Sequence, residues 1–142
     1  MVPSAKVPAE LATWSELVAY LEAQHHEVQT HVGERLRLTM HHDGQTTPVG
    51  AYALRAPSET PWLVLAVKLG PESELRPRLM LIGADALPFG SIALLHGFAI
   101  IRQSLPLEAL RTDQLEITLL ALVRLAATLR RGPDCRHEYL YR

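Results

Sequence analysis

The chain has 142 residues, of which 48% are hydrophobic and 20% are charged, and its formal net charge is −1. This length suits one domain with a single core, and the small net charge provides no strong field to attract nucleic acid or an anionic membrane. The single cysteine, Cys135, excludes an internal disulfide. Because no stretch resembles a signal peptide or a membrane span either, we expect a cytoplasmic protein.

The chain is predicted to form one domain that begins with a proline-containing lead-in and ends in a polar tail. Thr13 and Glu16 have the spacing of a capping box, which satisfies backbone N–H groups at a helix start. Together with apolar residues at helical spacing, they predict a helix over residues 14–25. The expected division of residues 1–142 is a lead-in over 1–12, a folded core over 13–132 and a tail over 133–142.

From Glu27 the hydrophobic period changes to two, which is typical of a strand with one buried face. An interruption is expected near Gly33, and Asp43-Gly44 predicts a hairpin turn. The return strand is predicted over 49–55. One parity of the first stretch contains Val28, Thr30, Val32, Leu36, Leu38 and Met40, whereas Arg35, Arg37 and Thr39 point the other way.

The next segment, Trp62–Leu69, is apolar on both faces apart from one lysine, which predicts a central strand. A helix is predicted over 78–87, where Pro77 obscures the start. Two further strands, Ser91–Leu95 and Phe98–Gln103, are predicted to form a second hairpin.

A long apolar helix is predicted to close the chain. We expect Asp113 to cap its N-terminus, with Glu116 completing a capping box. One stripe at steps of four and three is predicted to be buried; it contains Leu115, Leu119, Leu122, Ala126 and Leu129. The predicted fold class is α+β, with an antiparallel sheet of about five strands and the element order α-β-β-β-α-β-β-α.

Between Leu79 and Ser104 there are only two formal charges, Asp85 and Arg102. A surface rarely has so few charges, so much of this region should be buried. A homodimer interface is the favoured explanation, and a well-filled monomeric core is the alternative. The expected interface residues are Leu79, Ile82, Leu94 and Ile100.

No pattern in the sequence indicates a catalytic or metal site. The seven histidines include no H-x-x-x-H or H-E-x-x-H helix, and nucleotide-binding and G-x-S-x-G motifs are absent. We therefore expect no enzyme activity, no metal and no cofactor, and we interpret Cys135 as a free thiol.

Five arginines near the C-terminus allow an alternative function, a regulatory protein associated with nucleic acid. Charge complementarity to the helix dipole, together with a solvated tail, explains the same residues without any ligand. The arginines are Arg124, Arg130, Arg131, Arg136 and Arg142.

Three segments resemble the YbjN family and the type III secretion chaperone-like fold that it shares: LMLIGADALPFGSIALL, GFAIIRQSLPL and DQLEITLLALVRLAATL. The likeness covers most of the chain, from Trp14 to about Arg131. It includes an R..LPL..L phrase, seen as Arg102, Leu105-Pro106-Leu107 and Leu110.

This resemblance implies a non-catalytic α+β domain, usually a homodimer, that binds a partner protein as a chaperone or adaptor. An extended client segment could bind through main-chain hydrogen bonds at a sheet edge and apolar pockets for alternate side chains. The candidate client surface is the first hairpin, with core packing as the alternative for part of it. Its residues are Leu36, Leu38, Met40, Tyr52 and Leu54.

Overall fold

The computed structural model describes residues 10–25, 27–55, 60–74 and 90–131. These residues form two helices, eight strands and a short 3-10 turn. In chain order the elements are β1 Glu10–Leu11, α1 Trp14–Gln24, β2 Val28–His31, β3 Arg35–His42, β4 Gln45–Arg55, β5 Pro61–Pro71, the turn Glu72–Glu74, β6 Ser91–Leu95, β7 Phe98–Pro106, β8 Leu110–Arg111 and α2 Thr112–Arg131.

Six strands form one antiparallel sheet in the order β2-β3-β4-β5-β7-β6. The predicted class, an antiparallel sheet with helices packed on it, is confirmed. The described sheet has one strand more than expected because the chain turns at Gly33 and divides the first predicted strand into β2 and β3. The predicted central position of the apolar segment is also confirmed, since β5 lies between β4 and β7. The helix predicted over 78–87 lies outside the described residues.

Two of the hairpin turns depend on a glycine at the second central position. Asp43 and Gly44 have φ angles of 48° and 74°, and His96 and Gly97 have φ angles of 50° and 82°. Two consecutive positive φ angles match the twist of the flanking strands, and glycine adopts them without a steric penalty. The Asp43-Gly44 turn extends the hairpin further than predicted, so that β4 begins at Gln45.

Helix α1 begins with the predicted capping box. The backbone N–H of Glu16 donates to Thr13 Oγ1 over 3.2 Å, and the backbone N–H of Thr13 donates to Glu16 Oε1 over 3.2 Å. The helix buries Leu17 and Leu21 against the sheet. A reciprocal cap and an apolar face therefore fix both the start and the orientation of this helix.

Helix α2 provides the largest helical contribution to the core. All five residues of the predicted stripe are buried, and Val123 joins them. The helix packs on β5, β3 and β7. Neither described helix is long and apolar enough to cross a membrane.

One prediction, for the start of α2, is wrong. Helix α2 begins at Thr112, and the carboxylate of Glu116 contacts Tyr20 and His25 instead of closing a capping box on Asp113. A tertiary partner has replaced the local one. The lead-in also contains structure, because β1 pairs with β8 and buries Leu11.

Candidate functional site

The two faces of the six-stranded sheet have different surroundings. On the inner face, alternate residues of β3, β4, β5 and β7 join residues of both helices in one buried cluster. Residues of the opposite parity form the outer face, and none of those described belongs to that cluster. The outer face is thus the sheet surface on which neither described helix packs.

A groove of about 380 Å³ lies on the outer face. Gly50 and Ala66 form its floor and are paired across β4 and β5. Because neither residue carries more than a methyl group, the sheet surface forms a depression between the larger neighbouring side chains. We call the lining residues the outer groove: Arg35, Arg37, Pro48, Gly50, Tyr52, Ala66, Lys68, Leu95 and Ile100.

The strand register places arginines on both sides of this floor. Arg37 on β3 is opposite Gly50 on β4. Arg102 on β7 is opposite Ala66 on β5. Three strand spacings separate the two arginines, which corresponds to about 14 Å between their backbones. The floor is therefore narrow enough for one extended chain with side chains reaching both walls.

The outer groove is positively charged. Arg35, Arg37 and Lys68 are exposed, and no described carboxylate lies within salt-bridge distance of them. Lys68 Nζ is 4.1 Å from the centroid of the Phe98 ring, which holds the ammonium group on this face. Like charges on one sheet face repel each other, so these cations favour an anionic ligand.

The five residues predicted as a client surface do not share one face. Leu36, Leu38 and Met40 are buried in the inner-face core beneath the helices. Tyr52 and Leu54 have the outer-face parity, and Leu54 is 44% exposed. Core packing, the alternative stated for part of this surface, therefore applies to the three β3 residues, because the predicted residues of the two strands lie on opposite faces of the sheet. A binding role for the outer pair stays a prediction.

The predicted dimer residues also differ in their surroundings. Leu94 on β6 is 48% exposed, whereas Ile100 on β7 is buried on the outer face. Leu79 and Ile82 lie outside the described residues. The uncharged region therefore includes at least one apolar side chain that the described chain leaves accessible.

Strands β2 and β6 form the two edges of the sheet within the described residues. On β6, Leu94 and its neighbour Leu95 are both exposed, and they point to opposite faces. An edge strand has backbone N–H and C=O groups that can pair with another strand. The β6 edge combines these groups with apolar side chains on each face.

Two neighbouring histidines on β3 contact polar side chains. His41 Nε2 is 2.9 Å from Glu27 Oε1, and His42 Nε2 is 2.9 Å from Thr47 Oγ1. Within the described ranges, no group of three or more His, Cys, Asp or Glu side chains could hold a metal ion.

Tyr20, His25 and Glu116 connect the two helices. The Tyr20 hydroxyl donates to Glu116 Oε2 over 2.7 Å, and His25 Nε2 is 3.1 Å from the same oxygen. Burial raises the pKa of Tyr20, and the hydrogen bond to Glu116 raises it further. For Glu116, burial opposes ionisation, but the hydrogen bonds from His25 and Tyr20 outweigh it and lower the pKa. The cluster is a structural contact between α1 and α2.

The described part of the basic C-terminal region is the last two turns of α2, which contain Arg124 and Arg130. Arg124 Nε lies 3.4 Å from Asp43 Oδ2, and both side chains are more than half exposed. Arg130 is half-buried, while Arg136 and Arg142 lie outside the described residues. The nucleic-acid alternative stays a prediction.

Sequence reasoning missed the outer groove. The alternation did place Arg35 and Arg37 opposite the buried parity of β3, which was a usable signal. What it could not show is that Gly50, Ala66 and Lys68 come from two further strands and complete one surface, because that depends on strand order and register.

No family model matches this chain, and no curated protein matches it. Among solved structures, the chain is similar to a chain of the HopA1–SchA chaperone–effector complex, with 15% sequence identity and a TM-score of 0.58. The similarity covers 84% of this chain and 94% of that one. This chain therefore has the fold of a chain in a chaperone–effector complex, which agrees with the chaperone-like fold that the sequence resemblance implied.

Proposed function

We propose that this chain is a non-catalytic protein-binding module of the cytoplasm, chaperone-like or adaptor-like, that binds a partner protein or an extended client segment as a homodimer. The observation that carries the proposal is the similarity over most of both chains to a chain of a chaperone–effector complex. The YbjN resemblance, carried by the helix-and-hairpin phrases of the sequence, supports the same class. Secretion chaperones of this fold hold client segments rather than transform them.

Two features of the described surface support protein binding. The β6 edge offers backbone hydrogen-bonding groups beside exposed leucines. The outer groove offers a second contact surface, with Tyr52 on its wall and Leu54 further along the same strand face. Tyrosine is enriched among the residues that anchor a partner protein.

Peptide binding tests the proposed function directly. The purified chain is screened against a library of short peptides of mixed composition, and its thermal unfolding is followed with those that bind. A peptide present at about 100 times its Kd should stabilise the chain by about 2.7 kcal/mol. The absence of both binding and stabilisation across the library would contradict the proposal.

We propose a dimer interface that includes Leu79, Ile82, Leu94 and Ile100. Light scattering over a concentration series should give a mass near twice 15.8 kDa, and Leu94→Asp should return it to one chain. Val32→Asp is the matched control, because Val32 is 91% exposed in the turn between β2 and β3 at the opposite edge. A wild-type monomer at every concentration would remove the dimer from the proposal.

A further inference from the structure

The outer groove is lined by positively charged side chains as well as apolar ones. Three exposed cations surround a floor made of a glycine and an alanine. Arg35 and Arg37 are two residues apart on one strand and so share one face, where their charges repel. The groove therefore offers space for a ligand and a positive charge that an anionic ligand would neutralise.

The three cations of the outer groove form no salt bridge with a described residue. The exposed ion pairs on the same molecule, such as Arg55 with Glu34 and Arg111 with Asp113, show carboxylates within 3.2 Å of their arginines. No equivalent pair is found for Arg35, Arg37 or Lys68 among the described residues. Among the described residues, no carboxylate therefore competes with an external anion for these guanidinium and ammonium groups.

The shape of the groove favours an extended polypeptide over a compact anion. Its lining spans β3, β4, β5, β7 and β6, from Arg37 on one wall to Leu95 on the other. Tyr52 and Leu95 contribute apolar surface beside the cations. A compact anion would add no contact to the half-buried Tyr52 or the exposed Leu95. An extended segment, by contrast, can direct carboxylates to the wall that contains Arg37 and apolar side chains to the wall that contains Leu95, from alternate positions.

We propose that the outer groove binds an extended acidic segment of a partner protein. Its carboxylates pair with Arg35, Arg37 and Lys68, and an apolar side chain lies over Gly50 and Ala66. This inference rests on the proposed protein-binding function and adds the location of the site and the charge of the client.

Gly50 provides a test that leaves every charge in place. A Cβ built on Gly50 would have a single neighbour within 4 Å, the Ala66 carbonyl oxygen at 3.9 Å, and its φ is not positive. Gly50→Val should therefore fold normally while its side chain fills the floor of the groove. Thr46→Val is the matched control, since Thr46 is an exposed residue of the same strand outside the outer groove.

Charge reversal provides the second test. Arg37→Glu changes the charge of the groove wall, and Arg124→Glu makes the same change on helix α2, outside the groove. The probe is a fluorescein-labelled peptide of alternating glutamate and valine. A peptide of alternating lysine and valine and a single-stranded oligothymidylate serve as competing ligand classes.

The acidic peptide should bind the wild-type chain, and added salt should weaken that binding. Arg37→Glu and Gly50→Val should each weaken it by about tenfold or more, while Arg124→Glu and Thr46→Val bind like the wild type. Circular dichroism confirms that each variant is folded.

Several outcomes would overturn the inference. These are no binding of the acidic peptide, equal binding of the lysine peptide, tighter binding of the oligothymidylate, or loss of affinity in the two control variants alone. A wild-type dimer that Arg37→Glu converts to monomer would assign the groove to a second copy of the chain. If mixed-composition peptides bind the chain without any preference for acidic residues, the inference fails while the proposed function stands.

Discussion

The inner and outer faces of the sheet are formed by the same strands, yet they have opposite relations to the rest of the chain. Inner-face residues such as Leu38 and Leu65 are fully buried under two helices. On the outer face, Arg37 and Lys68 are exposed beside a groove whose floor is glycine and alanine. The inner face is covered by helices of the same chain, whereas the outer face has positive charges that the described residues do not neutralise.

This difference shows how one period-two pattern serves two purposes. Burial of the inner parity provides the hydrophobic free energy that holds the fold together. The outer parity contributes less to that core and can therefore carry residues chosen for a ligand. Substitutions on the two faces should consequently separate stability from binding.

The largest effect is expected from Leu38→Ala on the inner face. Removing this buried side chain leaves a cavity and should reduce the free energy of unfolding by about 2–5 kcal/mol. Leu54→Ala on the outer face is the control, with an expected change within about 0.5 kcal/mol. Urea denaturation measures both variants. Equal losses would mean that the two faces contribute similarly to stability.

A smaller effect is expected from Glu116→Gln, which weakens the connection between the helices. Because the Glu116 carboxylate accepts hydrogen bonds from Tyr20 and His25, its loss should cost about 1–2 kcal/mol at neutral pH. Urea denaturation at a series of pH values measures this cost. Glu22→Gln, an exposed change on α1, is the control.

The pH dependence of this stability difference has a predictable direction. The pKa of Glu116 is lowered in the folded state, so its contribution is present above the unfolded pKa, near 4.3. It is lost as the pH falls through the lower folded value. The difference between wild type and Glu116→Gln should therefore shrink in acid, and a constant difference would contradict an ionised Glu116.

Thr13→Ala should reduce stability by about 1 kcal/mol, because it removes the side-chain acceptor of the α1 capping box. This helix covers the inner face through Leu17 and Leu21, so the change weakens the cover without altering the core. Thermal unfolding checks the result. Ser15→Ala, in the first turn of the same helix, should have little effect, and an equal loss there would assign the effect to general helix propensity.

The smallest change in stability is expected from Arg37→Gln on the outer face. Removing one of several like charges should leave the free energy of unfolding within about 0.5 kcal/mol of the wild type, and any gain should diminish with salt. Denaturation at low and high ionic strength measures this. A loss above about 1 kcal/mol would mean that Arg37 has a structural partner within the chain.

Local signals predicted most of the described elements. The Thr13–Glu16 spacing located the start of α1, and the Asp43-Gly44 pair located a hairpin turn, because caps and tight turns depend on neighbouring residues. The buried stripe of α2 followed from its helical period. The prediction that Glu116 completes a capping box at the start of α2 failed, because His25, 91 residues away in sequence, binds the same carboxylate.

The candidate site was less accessible from the sequence. The alternation in β3 separated Arg35 and Arg37 from the core residues of that strand, but it could not pair them with Gly50, Ala66 or Lys68. It also led to a client surface in which Leu36 and Leu38 were grouped with Tyr52, because the facing of one strand relative to the next depends on register.

The sequence by itself determined which residues of each element are apolar together, where the helices begin and where the chain reverses, since these depend on contacts between near neighbours. Only the tertiary structure decided which parity of each strand the helices cover and which residues of separate strands share the outer groove. Strand order and register carry that information, and they result from packing the whole sheet against α1 and α2.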